Sequence, residues 1–392
     1  MKRHHRVFAN LVLFCAGTLL SAGLLLFGIE VVLRFGNWVD SASPYQPRTV
    51  IRHHTGEFDA TYRYNDRGFR DNRDFAQLEQ PTEPRPFTVV AIGDSFTEGF
   101  GVPETETWAA GLEKIMRRKI PSSRVLNLGV SGSGPNEYEN VFAYALTLEP
   151  DVIIVGFYAG NDATEAHQPR APTPSLAVRW LAAKLRAAQR RLNPDPFQGG
   201  PLARMYRWKL CRETHLTTKE FALRHARLPA NIRRALAAQT INFHLPLLAI
   251  LNPDTISANL NLSNVRSREG IGFAFDIFAR MRDSASAKGA AVVIATIPAS
   301  VQVSPHYNKE LAGMGFTGLD ALAEIVPLQL SAASRAQELH LQYIDLTTAL
   351  SDTNRDTYYF PLDTHLTPAG HYRVSEELAA KIEFTMIESY HR

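Results

Sequence analysis

The sequence predicts an α/β fold, a three-layer α/β/α sandwich built on a parallel sheet. From Phe87 onward, short runs rich in Val, Ile and Leu alternate with longer stretches of helical period, the pattern that parallel strands with helical crossovers require. The first of these runs, Val89-Val90-Ala91-Ile92, stops abruptly at Gly93-Asp94-Ser95, which leaves a hydroxyl at the carboxyl end of a buried strand. The chain has 392 residues and is 45% hydrophobic, enough for a large core and for two or three structural units.

The chain opens differently. No charged residue occurs from Phe8 to Ile29, and Lys2, Arg3 and Arg6 precede that stretch. As a helix it would span roughly 33 Å, enough to cross a bilayer core. The basic end then stays in the cytoplasm, and the bulk of the chain lies across the inner membrane, facing the periplasm or outside. Residues 1–35 are therefore expected to form a basic tip and a single transmembrane anchor. A cleaved signal peptide is the rival reading, although the nearest small-residue site, Ser41-Ala42-Ser43, is followed by Pro44. Residues 36–86 carry Pro44, Pro47, Pro81, Pro84 and Pro86 and no sustained period, so they read as a juxtamembrane linker with room for one small hairpin.

Beyond the linker, strands are expected at Phe87–Ile92, Arg124–Val130, Asp151–Tyr158, Ala290–Ile297 and Leu341–Leu346. Helices fill the intervals at Thr107–Lys119, Pro135–Leu148, Leu319–Leu339 with a break at Pro327, and Pro368–Ile387. Thr367 before Pro368 reads as an N-cap followed by the first helical residue. The sandwich thus falls in two parts, 87–164 and 286–392, separated by a helical insertion over 165–285. From Glu165 to His244 there are fifteen Lys and Arg against four Asp and Glu, in a chain whose net charge is only +3. Basic helices such as Val178–Leu192 suit contact with anionic headgroups or an acidic glycan. Equally, their long stems can cover apolar surface while the charges stay in water.

The composition also excludes. Two cysteines, Cys15 and Cys211, make neither a disulfide framework nor a metal site, and no cofactor motif occurs. A nucleic-acid partner does not fit a chain anchored outside the cytoplasm. His4-His5 and His53-His54 read as solvated pairs, and His371 as a helix residue facing a neighbour.

Gly93-Asp94-Ser95 by itself is ordinary turn chemistry. Three more stretches follow it in order: Asn127-Leu128-Gly129-Val130-Ser131-Gly132-Ser133-Gly134, then Gly160-Asn161-Asp162, then Asp363-Thr364-His365. Together the four blocks resemble those of the SGNH (GDSL-type) hydrolase family, over roughly the last three hundred residues apart from the insertion. The segment Tyr64-Asn65-Asp66-Arg67-Gly68-Phe69-Arg70 is similar to one that precedes the serine block in membrane-anchored members. The resemblance implies a flavodoxin-like sandwich with all four blocks on one rim of the sheet.

The chemistry of the residue types agrees. A serine hydroxyl needs a base to take its proton during attack, and histidine does so near neutral pH. Ser95 is the expected nucleophile, His365 the base and Asp363 the group that orients the imidazole. Residues two apart in an extended segment point the same way, which can set the carboxylate against the ring. The commonest family spacing is Asp-x-x-His, so Asp345 stands in reserve as the partner. For the oxyanion the resemblance implies the backbone N–H of Ser95, the backbone N–H of Gly132 (with Gly129 and Gly134 as neighbouring choices) and the side-chain amide of Asn161. Asp94 and Asp162 are expected to brace the loops. Thr97 stands two residues after Ser95, so this is not the Gly-x-Ser-x-Gly elbow.

Together these readings predict a membrane-anchored serine esterase for acyl, chiefly acetyl, esters on an extracytoplasmic glycan, working through an acyl-serine. An O-acyltransferase of exopolysaccharide biosynthesis is the alternative, and a non-catalytic glycan-binding or assembly protein the reading from another class.

Overall fold

The computed structural model describes residues 47–78, 84–167, 195–323 and 327–390, together with helical residues between 17 and 28. The chain divides into two units, 1–44 with 171–193 and 45–170 with 194–392. In the first, the described residues are helical, and Leu20, Leu24, Leu25 and Phe27 are exposed. The expected anchor over Phe8–Ile29 lies mostly outside the described residues, as does the basic stretch Val178–Leu192. Among the described residues no helix is long and apolar enough to cross a membrane.

The second unit begins with an antiparallel hairpin, β1 (Val50–His54) and β2 (Asp59–Arg63). It alternates: Ala60 and Tyr62 are buried while Asp59, Thr61 and Arg63 face out, as a sheet with one covered face requires. Of the histidine pair, His54 is exposed as expected and His53 is half-buried. Its ring sits 4.6 Å from that of Tyr62 and 5.2 Å from that of Phe100, because the alternation turns it toward the covered side.

Five parallel strands follow: β3 (Thr88–Gly93), β4 (Arg124–Gly129), β5 (Val152–Tyr158), β6 (Ala291–Ile297) and β7 (Gln342–Asp345). Their order across the sheet is β4-β3-β5-β6-β7, the flavodoxin-like order, in which the chain reverses direction of growth beside β3. β3 and β5 are buried at nearly every position, which explains why both read as continuous apolar runs. One face carries Val89, Ala91, Val125, Ile154 and Ala295 beneath the helices Trp108–Met116 and Pro368–Tyr390, which pack on each other. The opposite face is covered by the helices Pro135–Ala145, Val265–Ser286 and Leu328–Glu338. Each fully buried Val, Leu or Ile side chain contributes about 1.5–3 kcal/mol by leaving water.

The sheet elements lie within a few residues of where the sequence sets them. The break expected at Pro327 is where the helix Leu328–Glu338 begins, with Pro327 at its N-cap position, because the proline ring cannot sit inside a helical turn. Helix Val265–Ser286, counted from the sequence with the insertion, buries Ile271, Ala274, Phe275, Phe278 and Met281 and closes one face of the sheet. The described part of the insertion is helical from Pro201, with a small apolar core of its own around Phe221, Ile232, Leu236 and Ile250.

Candidate active site

Ser95 is the first residue of a short helix, Ser95–Glu98, that starts where β3 ends. Asp94 caps this helix, its Oδ1 accepting the Phe96 N–H at 2.9 Å, so the serine is held at a turn with its own N–H lacking an intrahelical acceptor. Gly129 at the end of β4 allows the arrangement. A β-carbon there would collide with the backbone of Glu98 and Thr97, so the nucleophile helix could not lie against β4.

His365 and Asp363 arrive from the loop between β7 and the last helix. The His365 Nδ1–H donates to Asp363 Oδ1 at 2.5 Å, and the opposite ring nitrogen, Nε2, accepts the Ser95 Oγ–H at 2.7 Å. The two residues do not lie in an extended segment. Thr364 between them is left-handed, at φ +66°, and a tight turn closed by Thr364 N–H to Phe360 O at 2.8 Å sets the carboxylate against the ring. A β-branched residue in that region is a strained conformation, held here by the surrounding contacts. The imidazole lies between the rings of Phe96, at 4.8 Å, and Phe100, at 4.7 Å.

Electrostatics match this geometry. Burial works against a charged His365, but the Asp363 carboxylate and its hydrogen bond outweigh it, so the imidazole's pKa lies above its ordinary 6.5. Burial also works against a charged Asp363. The His365 charge and the donors around the carboxylate prevail, and its pKa lies below the usual carboxylate range. Asp345, the reserve partner, is exposed and accepts the Thr347 N–H at 2.9 Å at the start of the next short helix, so it takes no part.

The expected oxyanion donors Gly132 and Asn161 follow β4 and β5, the strands paired to either side of β3. Gly132 adopts φ +74° in the loop after β4, with open space beside its α-carbon. Asn161 follows β5, and its Nδ2 donates to Glu165 Oε1 at 2.9 Å, while its Oδ1 is buried with no partner. The amide is therefore turned toward Glu165. Asp162 braces the loop as expected, its Oδ2 accepting the Tyr138 O–H and the Tyr158 N–H, both at 2.9 Å. His371 accepts the Trp108 N–H at 3.2 Å, and burial pushes its pKa down to about 3.

Several neighbours escape a reading of the sequence. Glu98 is fully buried. It accepts the Tyr64 O–H at 2.8 Å on one oxygen, and the Ser131 N–H (3.2 Å) and O–H on the other, which ties the glycine-rich loop to the nucleophile helix. Arg70 is also fully buried, donates to the carbonyls of Glu98, Gly99 and Val102, and lies 3.7 Å from the Tyr62 ring. Asn242, from the insertion, donates to Asp363 Oδ2 at 2.8 Å. Arg70 lies in the segment Tyr64–Arg70 and Glu98 three residues after Ser95, but the sequence assigns no role to either or to Asn242, because each acts on a partner far along the chain.

A serine hydroxyl, an imidazole and a carboxylate joined in series at the switch point of a parallel sheet define the class of serine acyl-transfer proteins. Residues 91–256 match the GDSL-like lipase/acylhydrolase family, and residues 259–391 match the SGNH hydrolase-like domain, acetyltransferase AlgX. Residues 91–256 and 259–391 thus carry a GDSL-like lipase/acylhydrolase domain and an SGNH hydrolase-like domain, which supports an esterase or an acyltransferase. Among solved structures it is similar to a lipolytic protein of the G-D-S-L family from Desulfitobacterium hafniense, at 13% identity, covering 75% of this chain and 98% of that one, TM-score 0.36. It is likewise similar to a lipase/acylhydrolase from Enterococcus faecalis, at 11% identity, covering 76% and 96%, TM-score 0.38. A third is an acetyl xylan esterase, at 10% identity, covering 76% and 100%, TM-score 0.37. No curated protein sequence matches the chain.

Proposed function

We propose that this protein is a serine esterase that removes acyl groups, chiefly acetyl, from a glycan outside the cytoplasm. The single observation carrying the reading is the series Ser95 Oγ, His365 Nε2, His365 Nδ1, Asp363 Oδ1, linked at 2.7 and 2.5 Å. Ser95 Oγ attacks the ester carbonyl as its proton passes to His365 Nε2, and the developing oxyanion is met by the N–H groups of Ser95 and Gly132 and by the second Nδ2 hydrogen of Asn161, the first being given to Glu165. The imidazolium then protonates the departing sugar oxygen, leaving an acyl group on Ser95. A water, deprotonated by His365, releases the acid and restores the serine. The membrane side of the reading rests on the uncharged stretch Phe8–Ile29 behind Lys2, Arg3 and Arg6, which would tether the catalytic unit on the periplasmic face of the inner membrane. The basic insertion would meet anionic headgroups or an acidic glycan.

A second reading has its own support. The stretch holding Asp363 and His365 matches the acetyltransferase-type domain, so a sugar hydroxyl in place of water would make the same acyl-serine an O-acetyl donor. The deciding experiment gives the full-length protein p-nitrophenyl acetate with and without an acetyl-accepting oligosaccharide, and weighs the products beside those of Ser95→Ala. Free acetate regardless of acceptor supports the esterase, and acetylated sugar formed at the expense of acetate supports the transferase. Turnover by Ser95→Ala equal to that of the natural protein would leave a glycan-binding protein as the better reading.

A further inference from the structure

The insertion contributes a side chain to the relay itself. We propose that Asn242 is a positioning residue that holds the Asp363 carboxylate in place and in its ionised form, a role that rests on the assignment of Ser95, His365 and Asp363 above.

The amide is oriented from both ends. Asn242 Oδ1 accepts the His244 N–H at 3.1 Å, at the first residue of the helix His244–Leu251. That fixes which end of the side chain faces the site, and Nδ2 donates to Asp363 Oδ2 at 2.8 Å. The two carboxylate oxygens thereby divide their work, Oδ1 on His365 and Oδ2 on Asn242. Asp363 is only 3% exposed, so water cannot readily replace a lost donor.

The backbone around Asn242 is fixed to the same loop. Ile241 and Phe243, on either side, pack into the apolar cluster of the insertion, and so does Leu362, the residue before Asp363. The hairpin tip joins in: Gly56 N–H donates to Thr240 O at 2.5 Å, and Glu57 Oε1 accepts the Leu362 N–H at 2.8 Å. Three distant segments therefore meet at the carboxylate. Titratable groups facing the relay are Asp94 and Glu98 beside His365, and Glu57, His244, Tyr62 and Tyr158 beside Asp363.

The chemical consequence has a definite sign. A carboxylate deprived of its amide donor becomes more basic and holds the proton on His365 more tightly, so the neutral base appears only at higher pH. The carboxylate also gains freedom to swing, which lowers the maximal rate. With full-length protein and p-nitrophenyl acetate, Asn242→Ala is expected to lower kcat roughly 10- to 100-fold with KM little changed. The acid limb of its kcat/KM profile moves upward by about half a pH unit or more. Asn242→Asp keeps an oxygen for the His244 N–H while losing the donor and adding a like charge, so its acid limb moves further in the same direction with the fold retained. Natural kcat and an unmoved acid limb in both variants, or a lower kcat with the limb unmoved, overturn the role while Ser95→Ala remains inactive. Equal turnover by Ser95→Ala and the natural protein removes the relay and this role together.

Discussion

The Nε2 atom of His365 lies 2.7 Å from the Oγ atom of Ser95, across a sequence separation of 270 residues. The two halves of the family match meet at this hydrogen bond, since one covers the serine and the other the histidine. If the pair acts as a unit, Ser95→Ala and His365→Ala should each lower kcat for p-nitrophenyl acetate by about a thousandfold or more, and the double variant should be no worse than either. Additive losses in the double variant would mean that the two side chains act separately.

The acid limb of activity should lie above the ordinary histidine value. Neutral His365 is the base, and the carboxylate of Asp363 keeps the imidazole protonated beyond pH 6.5, so kcat/KM is present at higher pH and lost as pH falls through that raised value. A profile whose acid midpoint fell below 6.5 would contradict the arrangement. Asp363→Asn should lower kcat by about a thousand- to ten-thousandfold, because the amide favours the wrong tautomer.

Thr364 offers a test of backbone geometry. At φ +66° it is strained, and Thr364→Gly should retain activity and raise thermal stability by about 0.5–1 kcal/mol, read from the melting midpoint. Thr364→Pro would force φ to about −65° and pull the carboxylate from the ring, abolishing turnover. An active proline variant would show that the turn is dispensable.

Arg70 should matter for stability before it matters for chemistry. Replacing it with Met leaves buried carbonyls of Glu98, Gly99 and Val102 short of a donor, at a cost of about 3 kcal/mol or more by denaturant titration. A loss below about 1 kcal/mol would mean that water reaches those carbonyls.

Burial, with the charge of Asp94 adding to it, pushes the Glu165 carboxyl up from 4.5 to about 7. Between those values the folded protein binds the proton and the unfolded chain does not, so the group's contribution is full below pH 4.5 and is lost as pH rises through about 7. Glu165→Gln keeps an oxygen for the Asn161 amide and carries no charge. Its melting midpoint should therefore decline less than the natural protein's from about pH 5 to about pH 9. Parallel declines would place the titration elsewhere.

Much of the fold was legible because strands β3 and β5, buried on both faces, write themselves as unbroken apolar runs. The hairpin was less so: β1 and β2 lie in a proline-bearing, polar stretch whose order comes from packing, as when Tyr64 reaches Glu98. At the site, Ser95, Asp363 and His365 were legible as chemistry, but the spacing Asp-x-His was explained by an extended segment where the structure has a left-handed turn. The sequence points to the Asn161 amide as an oxyanion donor but not to its bond with Glu165, which occupies one of the two Nδ2 hydrogens.

By itself the sequence determined which runs become strands, where they stop, and which reactive groups stand at their ends, because period and turn chemistry depend on neighbours along the chain. The tertiary structure alone decided that Asn242 grips Asp363, that Glu98 and Arg70 lie beneath the nucleophile, and that Thr364 turns left-handed. The contacts of Asn242, Glu98 and Arg70 join segments tens to hundreds of residues apart, and their geometry follows from how whole layers pack, which no local pattern encodes.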